Sequence, residues 1–144
     1  MDTPGRNNAD LPRRKYSRDE VVDMYELGKF WLESGQYKRA EAIMTGLNEV
    51  APDFAPAWLG TAFLCSVASD YHAVAAAAKA ALRSEQDNVE AMLFLAMAAL
   101  ALKDLNTAGT YLGEVGDRLE QGAVSNPNVG RLYKMQLARY QNRE

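Results

Sequence analysis

Few side chains in this sequence could do chemistry. The 144 residues hold one histidine, His72, and one cysteine, Cys65. One histidine cannot supply the paired imidazoles of a helical zinc-protease motif, and no spacing argues for a histidine–cysteine dyad. His72 follows Tyr71 where a helix is expected to start, so it reads as a helix-end or surface residue. Cys65 falls among packing residues and reads as a buried structural thiol, because a nucleophile needs a setting that favours the thiolate. Gly109, Gly113 and Gly116 stand at i, i+4 and i+7, one face of a helix rather than a phosphate-cradling loop. They suit close packing against a neighbour; the alternative is a groove that admits a partner's helix. Asp19, Glu20, Asp23 and Glu26 crowd the early turns of one helix, where the helix dipole favours negative charge without any acid–base role. No catalytic residue, no metal and no cofactor is expected, and the chain is read as a non-enzyme.

The elements that position these residues are helical. Apolar residues make up 48% and charged residues 24% of the chain, a globular balance, and its length can bury about two-thirds of the unfolded surface. The net charge of −3 gives no global attraction to nucleic acid or to an anionic membrane. Residues 1–18 nevertheless carry +3, from Arg6, Arg13, Arg14, Lys15 and Arg18 against Asp2 and Asp10. Residues 1–16 are expected to form a disordered basic arm, a solubilising tail or else a partner contact. The N-terminus lacks the apolar stretch of a secretory signal. The apolar run from Ala91 to Leu102 is too short to span a bilayer. A cytoplasmic location is expected, and a lone cysteine asks for no oxidising compartment.

Written in rows of 34 from Val21, the sequence repeats three times without a gap, over 21–54, 55–88 and 89–122. One column reads Met24, Trp58, Met92. Another reads Leu27, Thr61, Leu95, followed by the small column Gly28, Ala62, Ala96. Then come Trp31, Cys65, Ala99; Tyr37, Tyr71, Leu105; and Ala40, Val74, Ala108. The last are Met44, Ala78, Leu112 and Leu47, Ala81, Val115. Each row splits into two helical stretches. In the first row, Asp19 to Glu33 has helical apolar spacing, Ser34-Gly35-Gln36 breaks it, Tyr37 to Val50 resumes it, and Ala51-Pro52 stops it. Gly122 reads as a helix stop, and Asn126-Pro127 as an N-cap before a terminal capping helix over 127–141.

These columns resemble the tetratricopeptide repeat. Leu27, Gly28, Trp31, Gly35, Tyr37, Ala40 and Pro52 of the first row agree in type with that family's signature; Trp58, Tyr71 and Ala81 persist in the second, Leu95 and Ala108 in the third. The second row lacks the closing proline, having Gln86 there. The resemblance implies an all-α fold: a right-handed superhelix of three helix-turn-helix repeats plus the capping helix, in one domain over 17–141. It also implies an inner groove lined by the first helix of each pair. Carried onto this chain, the groove columns are Val22, Tyr25, Lys29 and Leu32; Leu59, Phe63 and Ser66; and Leu93, Met97 and Leu100. Most are apolar, which suits a peptide with hydrophobic anchors. Tetratricopeptide domains that clamp acidic C-termini place Lys, Asn and Arg in the groove. The corresponding places here hold Tyr25, Lys29, Gly60, Glu90 and Phe94, so that clamp is not expected.

In repeat order, size and flanks the chain is similar to the class II chaperones of type III secretion. That resemblance implies a protein or peptide client, a translocator or needle component of the secretion machine, held in the groove until export. It implies a homodimer through the N-terminal helices, near Val21, Val22 and Tyr25. Two other readings stay open: a structural adaptor binding through convex or end surfaces, and an accessory domain of an enzyme.

Overall fold

The computed structural model describes residues 15–124 and 126–142. Of the basic arm expected over 1–16, all but Lys15 and Tyr16 lies outside them. Within the described residues there are seven helices and no strand: α1 (Arg18–Glu33), α2 (Tyr37–Val50), α3 (Ala55–Val67), α4 (Tyr71–Ser84), α5 (Val89–Ala101), α6 (Leu105–Glu120) and α7 (Pro127–Gln141). They pair as α1/α2, α3/α4 and α5/α6, each pair stacks on the next, and α7 packs on both α5 and α6.

Local chemistry sets the ends of each helix. Ser17 and Glu20 form a reciprocal cap at the start of α1: the Ser17 hydroxyl accepts from the Glu20 N–H at 3.1 Å, and Glu20 accepts from the Ser17 N–H at 2.9 Å. Asp70, Asn88, Asp104 and Asn126 cap α4, α5, α6 and α7 through their side chains. Asp104 also accepts from the Thr107 hydroxyl at 2.7 Å, and these bonds hold its carboxyl below the ordinary value of 3.8. A carboxyl lowered on folding stabilises the fold above its unfolded pKa and stops doing so as pH falls through the folded one.

The turn inside each pair repeats with the sequence. Gly35, Ser69 and Lys103, 34 residues apart, all take positive φ, at 77°, 59° and 66°. Only the first is a glycine, so the second and third turns carry a left-handed residue with a side chain.

Packing follows the columns. Ala40, Val74 and Ala108 are buried, as are Gly28, Ala62 and Ala96 on the partner helices. The Ala77, Ala78, Ala80 and Ala81 face of α4 is buried against its neighbours, leaving room for Trp58, Leu95 and Phe94. Helix α5 is apolar on nearly every side because α3, α4, α6 and α7 all touch it. Two of the three glycines of α6 meet the chain's own α7. A Cβ at Gly109 would lie 2.7 Å from the Tyr140 hydroxyl, and one at Gly116 would lie 2.7 Å from that of Tyr133. These two serve close packing within the chain, and the terminal helix is seated by them.

Ser69→Gly and Lys103→Gly should each raise stability by about 0.5–1 kcal/mol, because glycine relieves the left-handed strain. Gly35→Ala should lower it by about 1 kcal/mol. Urea unfolding followed by circular dichroism measures all three; no gain from either glycine would mean that Ser69 and Lys103 are unstrained.

Candidate functional site

The inner helices α1, α3 and α5, with α7 across the end, enclose a cleft of about 540 Å³. Every repeat contributes to it. Tyr25, Leu59 and Leu93, one column 34 residues apart, line it together. Phe63 and Met97 come from the next groove column and Leu32 from the last. Thus six of the ten residues expected in the groove meet in one space.

The other four lie elsewhere for local reasons. Val22 packs against the first core cluster. Lys29 is exposed, and its long stem carries the charge into solvent. Ser66 turns its hydroxyl back to donate to the Phe63 carbonyl at 2.6 Å. Leu100 is half-buried outside the lining.

Residues outside the ten complete the cleft, and three of them, Gly60, Glu90 and Phe94, are the groove places compared above with the acidic-terminus clamp. Pro56 and Glu90 stand one and two repeats after Val22, and Gly60 and Phe94 occupy the column beside Tyr25's. Extending the Val22 column to all rows would have found Pro56 as well. Glu85 and Asn88 enter from the turn before α5, and Asn126, Asn128, Leu132 and Gln136 from α7. The α7 residues have no column signal, since that helix does not continue the 34-residue register.

Behind the lining, one side chain sets the spacing. Met44 of α2 is fully buried between the inner helices. A Cβ at Gly28 on α1 would lie 2.9 Å from its Cε; one at Gly60 on α3 would lie 2.7 Å from its Sδ and 3.1 Å from its Cγ. Two glycines thus let α1 and α3 approach around one thioether. Nearby, Tyr25 packs edge-on against Phe54, ring centroids 5.5 Å apart, and the Arg18 guanidinium lies 4.9 Å from the Phe54 ring centre. Phe63 meets Tyr37 edge-on at 6.1 Å.

The cleft's field is negative. Burial raises the Tyr25 hydroxyl pKa, and the charges of Glu90, Glu26 and Glu33 raise it further. The group therefore stays protonated as a hydrogen-bonding phenol. Outside the cleft, burial raises the Cys65 pKa, helped by Asp70 and Glu41, which keeps that half-buried thiol from acting as a thiolate. His72 is exposed in the first turn of α4. Among the described residues no cluster of three or more His, Cys, Asp or Glu side chains could hold a metal ion, and no helix is long and apolar enough to cross a membrane.

Solved structures share this architecture. A chain of yeast Sti1, in a complex of its TPR2AB domain with pHSP90, matches with a TM-score of 0.76 over 93% of this chain at 16% identity. The fold is that of a tetratricopeptide-repeat domain. The present chain spans 51% of that Sti1 chain, about half its length. The C-terminal TPR-containing domain of an FK506-binding protein from Plasmodium falciparum matches with a TM-score of 0.67, covering 88% of this chain and 94% of that one, at 16% identity. No family model and no curated protein matches the sequence. Tetratricopeptide architecture is therefore shared with these structures at low sequence identity.

Gly60→Ala should destabilise the domain by about 1–2 kcal/mol, because Met44 is hemmed in along its length and cannot swing aside. Gly113→Ala, which meets nothing within 4 Å, should instead gain about 0.5–1 kcal/mol of helix propensity. Thermal unfolding of the two variants should move in opposite directions.

Proposed function

We propose that this chain is a protein-binding module, a cytoplasmic holding chaperone whose cleft keeps an apolar client segment out of water. The observation that carries the reading is the cleft itself, where Leu32, Leu59, Phe63, Leu93 and Met97 from all three repeats meet in one space. Holding needs no nucleotide. Client apolar area buried there contributes about 25 cal/mol per Å², offset by the ordering of a flexible segment. The Sti1 match, solved with pHSP90, supports protein binding as the use of this fold. The sequence resemblance to class II secretion chaperones supports a translocator or needle component as client. An adaptor that binds through its convex side or ends is the alternative.

A second surface supports self-association. Leu27 and Phe30 on α1 are 50% and 55% exposed. One repeat later Thr61 and Leu64 are half-covered, Thr61 accepting from Asn48 of α2 at 2.7 Å. Two repeats later Leu95 and Ala98 are buried. The exposed face of α1 is thus the stacking face with no preceding repeat among the described residues. Val21 is 5% exposed and packs with the partly buried Val22 and Tyr25 in the first core cluster, and Tyr25 also lines the cleft. A homodimer would use Leu27 and Phe30 instead.

Phe63→Asp and Met97→Asp should each abolish capture of the client, identified by pull-down and mass spectrometry, while helicity survives. Persistent capture by both variants would sink the groove reading and favour the adaptor. For self-association, Leu27→Asp should convert a dimer to a monomer in sedimentation equilibrium; a wild-type monomer would rule the dimer out.

A further inference from the structure

The terminal helix is held less firmly than the helices it covers. Of the 15 residues of α7 only Val129 and Gln136 are buried, at 2% and 4% exposure. One of its two anchors is therefore an amide, and the Gln136 Oε1 is shut away from solvent without a hydrogen-bond partner. An acceptor stripped of water and left unpaired destabilises the packed state, and it recovers its hydration only when the packing opens. Asn48 Oδ1 on α2 carries the same cost. There, however, the Asn48 Nδ2 donates across to Thr61 at 2.7 Å, and Ala40, Met44 and Leu47 fix α2 by complete burial. Helix α2 is enclosed between α1 and α3, whereas α7 lies on the outside of the last pair.

The seams beside α7 are open. On one side Asn128 and Leu132 line the cleft, and Leu132 is 41% exposed. On the other, a groove of about 550 Å³ runs between α6 and α7, lined by Gly113, Gly116, Leu119, Gly130 and Tyr133. A Cβ at Gly113 or Gly130 would meet nothing within 4 Å. Atoms along this seam forgo the dispersion contacts that a filled interior supplies. What holds the helix is Val129 with the Tyr133 hydroxyl end over Gly116 and that of Tyr140 over Gly109. Lys134 shares the groove with Asp117 and Glu120, but all three are exposed, where such attractions are worth little.

We infer that α7 is a lid: it lifts from α5 and α6 as a unit while the three helix pairs stay folded, and the lift widens the cleft whose wall it forms. Lifting bares the cluster of Met92, Ala96, Leu112 and Val115 on which Val129 and Tyr133 sit, and that apolar exposure favours the closed state. The unpaired oxygen and the underfilled seams narrow the margin. An element held by few buried contacts opens at lower free energy than the whole fold. The lid's part in admitting a client rests on the cleft being the client groove; the lifting itself does not.

Amide hydrogen exchange on the full chain, read residue by residue by NMR, tests this. Amides over 131–141 should exchange at one common rate, at least about 100-fold faster than those in the middle of α3 and α5. Gln136→Leu should slow that common rate about fivefold or more, because the closed state then holds no unpaired oxygen there, and should leave α3 and α5 unchanged. Tyr133→Ala, which removes the ring over Gly116, should speed it about tenfold or more. Rates that climb steadily from Arg131 to Gln141 would mean end fraying and would overturn the lid. So would α7 amides that exchange no faster than those of α5, or a Gln136→Leu variant in which every helix slows alike or none does. No client enters this measurement, so its failure is distinct from that of the groove reading, which stands on Phe63→Asp and Met97→Asp.

Discussion

The thioether of Met44 occupies the room left by two absent side chains, and the inner face of the molecule depends on that fit. Gly28 and Gly60 sit on neighbouring inner helices, and any Cβ there would meet Met44 at 2.9 Å or less. Their glycines cost about 1 kcal/mol each in helix propensity, which is offset by the close approach of α1 and α3. That approach aligns Tyr25 and Leu32 with Leu59 and Phe63 along one wall. A flexible methionine suits the place because it can thread a narrow, irregular gap.

Toward the other end the solution differs. Alanines of α4 and the almost wholly apolar α5 take over the close packing, and bulk comes from Trp58, Phe94 and Leu95. Helix α7 is then locked against α6 by Tyr133 and Tyr140 over Gly116 and Gly109. This closure has two consequences. It covers α5, whose apolar surface would otherwise face water, and it brings Leu132 and Gln136 to the cleft. A capping element has become part of the site wall. The opposite end of the stack has no such cover among the described residues, which is why Leu27 and Phe30 are exposed there.

The polarity of the cleft follows from helix direction. Inner helices of successive pairs run the same way, so their starts gather at one end. Caps and turn residues such as Asn88, Glu85 and Asn126 collect there, while mid-helix apolar residues line the rest. The Asn88 and Asn126 side chains are already engaged with the backbone of their own helices. The Gln136 oxygen is buried without a partner, as is that of Asn48, whose amide nitrogen donates to Thr61.

Much of this was legible in the residues. The 34-residue columns, the break at Ser34-Gly35, the stop at Gly122 and the Asn126-Pro127 start are local signals, because helix periodicity and capping depend on neighbours a few positions apart. The same logic placed Tyr25, Leu59 and Leu93 on one face. Left-handed backbone at Ser69 and Lys103 was hidden, since neither residue type announces it, though the register from Gly35 implied it. Tertiary structure alone decided that Asn128 and Leu132 of α7 line the cleft, that Val22 and Ser66 do not, and that Gln136 arrives from α7 with its oxygen unpaired. These outcomes depend on how closely and at what angle helices cross. Crossing is set by contacts such as Met44 with Gly60 and Tyr133 with Gly116, between side chains on different helices, and the pattern along any one helix does not contain them.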